Sequence, residues 1–148
     1  MTNSETSNKA EGRKIPKPNN MIKVKTTPDE DFFKWWCVFL RPFIPLTKRE
    51  IDVIASFLRH RWELSKQISD PSLLDTLLMS EEIKRKVQEE CNITLQHFYV
   101  VMSNLKKNKV IINNSIHPRL IPNVRKNKNG EFILMVSFVE DKFKEEEE

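Results

Sequence analysis

Residues 80–112 have the sequence SEEIKRKVQEECNITLQHFYVVMSNLKKNKVII, and this stretch decides the fold. Ser80 followed by two glutamates is the pattern of a helix N-terminus, and this charged helix is predicted to end near Cys91. Asn92 marks a turn, and Thr94 caps a second helix whose apolar residues recur at steps of three and four. The predicted buried stripe of the second helix consists of Leu95, Phe98, Met102 and Leu105. The stretch therefore predicts two helices joined by a short turn.

An aromatic helix is predicted nearer the N-terminus, over residues 29–40. Thr27 is its predicted cap, and Pro28 takes the first helical position. Its aromatic side chains surround the helix, so they cannot all face one small core, and either a partner or the rest of the domain covers the surplus. Two prolines within residues 41–45 end the helix.

A long helix is predicted after Thr47, because Thr47 and Glu50 have the spacing of a capping box. Residues with helical spacing mark its buried face: Ile51, Ile54, Ala55, Leu58, Trp62 and Leu64. The residues Asp-Pro-Ser at 70–72 stop this helix, and a short apolar helix is predicted over residues 73–79.

The C-terminal third predicts extended structure over residues 110–112, 120–124 and 131–140. The last two segments form a predicted hairpin, since Asn129-Gly130 is a strong hairpin-turn signal. Residues 132–139, FILMVSFV, are apolar on both faces, although a hairpin with one face on the core should leave its other face polar. The second face must therefore pack against a neighbouring subunit or against the aromatic helix of the same chain.

Composition fits one domain with two charged tails. The chain has 148 residues, 39% hydrophobic and 31% charged, with a net charge of +4. We predict a basic arm, ordered by a partner or not at all, over 1–27, the aromatic helix and its linker over 28–45, one domain over 46–140 and an acidic tail over 141–148. The predicted fold class is mainly α with a small β-hairpin, an α+β arrangement.

No catalytic or metal-binding pattern is present in the sequence. Cys37 and Cys91 are far apart and are expected to be reduced thiols, buried or half-buried. The histidines have no metal-ligand spacing with them, and two glycines in the chain leave no phosphate-binding loop. The longest apolar run is well short of the about 18 residues that span a membrane, and the N-terminus is not a signal sequence. We therefore expect no enzyme, cofactor, metal, small-molecule substrate, membrane location or secretion.

The pattern LTKREIDVIASFL, then residues 80–111, resembles the winged helix-turn-helix superfamily of bacterial and phage regulators over residues 46–140. In that family a turn residue after the second helix is usually glycine; here it is Asn108, which tolerates the left-handed conformation. The resemblance implies a winged-helix body, preceded here by the aromatic helix and an extended N-terminal arm.

A winged helix implies DNA binding, with the helix that starts at Thr94 in the major groove. The residues that would contact nucleic acid are Lys84, Arg85, Lys86, Thr94, Gln96, His97, Lys106, Lys107, Arg125, Lys126 and Lys128. The reading half of that helix has no Arg or Lys, however, and the lysines also fit an ordinary solvated surface. A DNA-binding transcriptional regulator is therefore the alternative hypothesis.

The preferred hypothesis is a non-enzymatic structural or adaptor protein that acts through protein contacts. The predicted protein-interface residues are apolar and lie on three elements: Phe32, Trp35, Trp36, Phe39, Tyr99, Val100, Phe132, Leu134, Val136 and Phe138. The whole chain, with its run KWWCVFLRPF, also looks similar to small proteins of crAss-like phages, whose tails contain stacked rings attached to the portal. That resemblance implies a head-tail connector or tail ring component of a homo-oligomeric assembly, located in the virion or in the host cytoplasm before assembly.

Overall fold

The computed structural model describes residues 25–124. Within this range the chain forms five α-helices: α1 (Phe32–Leu40), α2 (Lys48–Ser65), α3 (Pro71–Leu78), α4 (Glu81–Glu90) and α5 (Leu95–Lys107). Two short strands, β1 (Ile111–Ile112) and β2 (Ser115–Ile116), and a 3-10 helix (Pro118–Leu120) complete the described part. The protein is thus mainly α-helical with a small antiparallel sheet, which confirms the predicted α+β class in its coarse form.

Side-chain caps begin four of the helices where the sequence places polar residues. Thr47 and Glu50 form the predicted capping box at α2, with the Thr47 hydroxyl accepting from the Glu50 amide at 3.2 Å. Ser80 and Thr94 cap α4 and α5 as predicted. Asp70 caps α3 by accepting from the Ser72 amide, so the residues that stop α2 also begin α3 two residues earlier than predicted.

The start of α1 differs from the prediction. Residues 28–31 form turns, and the helix begins at Phe32. The carbonyl of Thr27 accepts from the amides of Glu30 and Phe32, while the hydroxyl of Thr26 accepts from the Asp31 amide. Because the neighbouring hydroxyl takes the amide that Thr27 was expected to cap, the first turn stays outside the helix.

Helix α2 is the centre of the core and contacts all four other helices. Its buried residues include Val53 and Phe57, which lie outside the predicted stripe. A helix covered on several sides buries more than one stripe, so periodicity alone underestimated the buried face. Glu50 is buried as well, but its side chain accepts from the Thr47 amide at 3.3 Å within the capping box.

The sheet is a tight hairpin that the sequence analysis missed. Ile111 pairs with Ile116 and Ile112 with Ser115, so the loop consists of Asn113 and Asn114 alone. Both asparagines have positive φ, which is the requirement of a type I′ turn. The predicted extended segment at 120–124 begins instead in the 3-10 helix. The hairpin predicted around Asn129-Gly130 and both charged tails lie outside the described residues.

The left-handed residue after α5 is Lys109, with φ 60°, and not Asn108, whose φ is −85°. A non-glycine residue in this conformation costs about 1–2 kcal/mol. We therefore expect Lys109→Gly to raise the free energy of unfolding by about 1 kcal/mol in urea denaturation. The matched control is Asn108→Gly, which adds backbone freedom without relieving strain and should lower stability. Equal effects of the two variants would contradict this assignment.

Candidate protein interface

Helix α1 has one buried and one exposed aromatic face. Phe32, Phe33 and Cys37 are buried against α2. The interface prediction for Phe32 is therefore corrected, since this ring belongs to the core. The α1 stripe, as we call the exposed face, consists of Trp35, Val38, Phe39 and Phe43.

The members of the α1 stripe are neighbours on the surface. Trp35 and Phe39 are four residues apart, and Phe43 lies four residues further on in a turn whose amide donates to the Leu40 carbonyl. Their exposed fractions are 41%, 47% and 65% for Trp35, Phe39 and Phe43. Aromatic side chains exposed together in this way indicate a surface that a partner covers. Val38 and Phe43 were missed in the sequence analysis, although their spacing from Trp35 is the signal that finds them.

Trp36 points the other way from the α1 stripe and is half-buried. Its indole Nε1 donates to the carbonyl oxygen of Leu120 at 2.6 Å. This bond joins α1 to the segment that follows the hairpin, where Ile121 and Val124 are partly buried against the core. Trp36 was predicted as an interface residue, but this contact assigns it to the packing of its own chain.

Helix α5 is divided in the same way. Phe98, Val101, Met102 and Leu105 are buried, while Tyr99 and Val100 are 57% and 54% exposed. The predicted stripe was wrong at Leu95, which is exposed because the first turn of α5 extends beyond the core. Leu95 and Tyr99 instead line a groove of about 480 Å³ between α4 and α5.

The charges around this groove are largely balanced. Lys84 lies 3.9 Å from Glu81, and Lys86 lies 3.5 Å from Glu82, in each case within α4. Arg85 also lines the groove and is exposed. The basic residues predicted to hold phosphates on α4 are thus two-thirds paired with carboxylates of their own helix.

The remaining predicted nucleic-acid residues fall into three groups. The Thr94 hydroxyl accepts from the His97 amide at 3.1 Å and serves as the helix cap. Gln96 and His97 are exposed on the first turn, and Lys106 and Lys107 are exposed on the last turn, where they favour the helix dipole. The calls on Arg125, Lys126, Lys128, Phe132, Leu134, Val136 and Phe138 lie outside the described residues.

A polar cluster ties α2 to the end of α4. Glu90 accepts from Ser56 Oγ and from Arg59 Nη2, each at 2.6 Å, and its other oxygen lies 3.0 Å from His60 Nε2. The cluster borders a cavity of about 320 Å³, which is also lined by Asp52 and Cys91. It was missed in the sequence analysis, because the residues lie 30 or more positions apart and form no motif.

The chemistry of this cluster is that of a structural tie. The Ser56 hydroxyl donates to the carboxylate and has no hydrogen bond to His60 among the described contacts, so the pattern of an activated serine is not formed. Both cysteines are free, Cys37 buried and Cys91 half-buried, as predicted. Burial raises the pKa of Cys37 to about 12 and that of Cys91 to about 11, which keeps both thiols protonated at neutral pH. Within residues 25–124 no group of His, Cys, Asp and Glu is arranged to hold a metal ion.

The cluster gives the fold a defined pH dependence. Burial lowers the pKa of His60, and the charges of Arg59 and Lys86 add to this, although Glu90 acts to raise it. Partial burial acts to raise the pKa of Glu90, but hydrogen bonds from Arg59 and Ser56 outweigh burial and leave this pKa lowered. Both groups therefore bind protons less readily in the folded than in the unfolded chain.

We expect stability to fall as the pH is lowered from about 7.5 to 5.5. The contribution of His60 is complete above its unfolded pKa of about 6.5 and is lost as the pH falls through the lower folded pKa. One such proton changes the free energy of unfolding by at most about 1.4 kcal/mol per pH unit. His60→Gln should remove this slope in urea denaturation; a slope as steep as in the unmodified chain would contradict the assignment. The loss from Glu90 begins only below about pH 4.3.

Comparisons with known proteins add no assignment. The chain matched no protein-family model, no curated protein and no solved structure. None of the helices in residues 25–124 is both long enough and apolar enough to cross a membrane.

Proposed function

We propose that this protein is a non-enzymatic structural or adaptor subunit that acts through protein contacts. In this proposal its body is a winged helix, in which α4 and α5 form the helix-turn-helix and the hairpin of β1 and β2 follows. The order of these elements supports the proposal, as does the short connection between α4 and α5. The composition and the run KWWCVFLRPF support a phage particle as the setting, with the protein as a head-tail connector or tail ring component.

The α1 stripe is the observation that carries the proposal. Three large aromatic side chains on consecutive turns are between 41% and 65% exposed, although the opposite face of the same helix is almost fully buried. Isolated apolar residues are common on protein surfaces, but an adjoining set of this size indicates an interaction site. Tyr99 and Val100 on α5 extend the same argument to the helix that would otherwise contact DNA.

Sedimentation velocity tests this proposal over a range of protein concentrations. We expect the purified chain to self-associate, and we expect Phe39→Asp to weaken association at least about tenfold, because a charge buried against apolar surface is costly. Leu73→Asp is the matched control: Leu73 lies on α3 and is 48% exposed against 47% for Phe39. Its association should be unchanged. A chain that is monomeric at every concentration, or equal losses in both variants, would contradict the proposal.

DNA binding remains the second candidate, favoured by the exposure of Gln96, His97, Lys106 and Lys107 on one helix. Binding through six to ten phosphates would lose a factor of about 10³–10⁵ in affinity between about 50 and 200 mM salt. Gln96→Ala should relax sequence preference and Lys107→Ala should reduce the salt slope by about one unit. Absence of duplex binding at low salt would dispose of this candidate.

A further inference from the structure

The α1 stripe is too small to form a stable dimer with a second α1 stripe. Taking about 150–250 Å² for each aromatic side chain, exposed fractions of 41%, 47% and 65% leave roughly 300 Å² of aromatic surface on each copy. A stable interface buries about 800 Å² on each partner. The surface that covers the stripe must therefore bring apolar area that a second stripe does not have.

The chain contains a second apolar surface of suitable chemistry outside the described residues. Residues 132–139, FILMVSFV, are the longest uncharged run within 1–24 and 125–148. The α1 stripe contains no charged or hydrogen-bonding group apart from the indole N–H of Trp35, so its occupant must also be uncharged to avoid burying an unpaired charge. The charged runs of the tails do not meet this requirement.

We propose that the α1 stripe of one copy packs against residues 132–139 of a second copy. This inference rests on the proposed function and adds its partner and geometry. The two contacting surfaces are different, so the interface is heterologous, and each copy can use its stripe and its apolar segment at the same time. Repetition of a heterologous contact produces a closed ring or an open filament, in contrast to the closed dimer of an isologous contact.

Sedimentation velocity of two full-length variants tests this geometry. Phe39→Asp removes the stripe, and Leu134→Asp removes the even-numbered face of the apolar segment. We expect each variant to be monomeric alone. A one-to-one mixture should form a heterodimer, because one variant keeps an intact segment and the other an intact stripe. The heterodimer should reach an affinity within about tenfold of one contact in the unmodified assembly.

Met135→Asp tests the odd-numbered face, and circular dichroism reports the folding of every variant. The segment variant that folds identifies the face available to a partner. If both segment variants unfold, the segment belongs to the core of its own chain and the inference is overturned. Self-association of a folded segment variant on its own would indicate an isologous contact and would also overturn it. A mixture that stays monomeric would do the same. These three results leave the proposed function intact, whereas a monomeric unmodified chain removes both.

Discussion

Phe98→Ala is expected to lower the free energy of unfolding by about 3–5 kcal/mol, because it leaves a large cavity in the core. Phe98 is 2% exposed, and its ring lies 6.4 Å from that of Phe57 between centroids. The loss approaches the whole stability of an ordinary domain, so the variant should be largely unfolded at modest urea concentrations.

Tyr99→Ala is the matched control for Phe98→Ala, since the two residues are adjacent on α5 and face opposite ways. Tyr99 keeps only an edge contact with Phe98, with 6.2 Å between ring centroids. Its removal should cost about 1 kcal/mol or less. Urea denaturation of both variants measures the difference; comparable losses would mean that α5 does not have the buried and exposed faces described above.

Trp36→Ala is expected to destabilise the protein by about 2–3 kcal/mol, less than a fully buried tryptophan because the ring is half-buried. The substitution removes both the packing of the indole and its hydrogen bond to the Leu120 carbonyl. Trp36→Phe separates the two effects, since it keeps an aromatic ring and loses only the bond, for an expected cost of about 1 kcal/mol.

Trp35→Ala is the control for Trp36→Ala, because Trp35 lies one position away on the exposed face. It should change stability by no more than about 0.5 kcal/mol while weakening self-association. Thermal unfolding and sedimentation velocity on the same samples distinguish the two roles. A stability loss at Trp35 equal to that at Trp36 would show that the α1 stripe is part of the core of a single copy.

Local signals in the sequence were sufficient to locate most helices. The caps at Thr47, Ser80 and Thr94 were predicted because a hydroxyl that satisfies a free amide acts within three residues. The aromatic character of α1 and the exposure of Tyr99 and Val100 were likewise visible in the sequence. The winged-helix body and the phage setting remain predictions.

Other features depended on contacts that no local pattern records. Which face of α1 is buried depends on where α2 lies, so Phe32 could not be distinguished from Phe39 by composition. The hairpin was missed because Asn113 and Asn114 are a less common form of a turn usually written Asn-Gly. The tie between Glu90 and α2 joins residues from two helices and has no sequence motif.

The bond from Trp36 to Leu120 spans 84 positions of the chain. Closing so long a loop costs entropy that is recovered only when the helices between its ends are already packed. The contacts within α2 to α5 are closer in sequence and can form earlier. Docking of α1 is therefore expected late in folding, after the transition state. Substitutions at Trp36 should consequently shorten the lifetime of the folded protein and leave the rate at which it forms nearly unchanged.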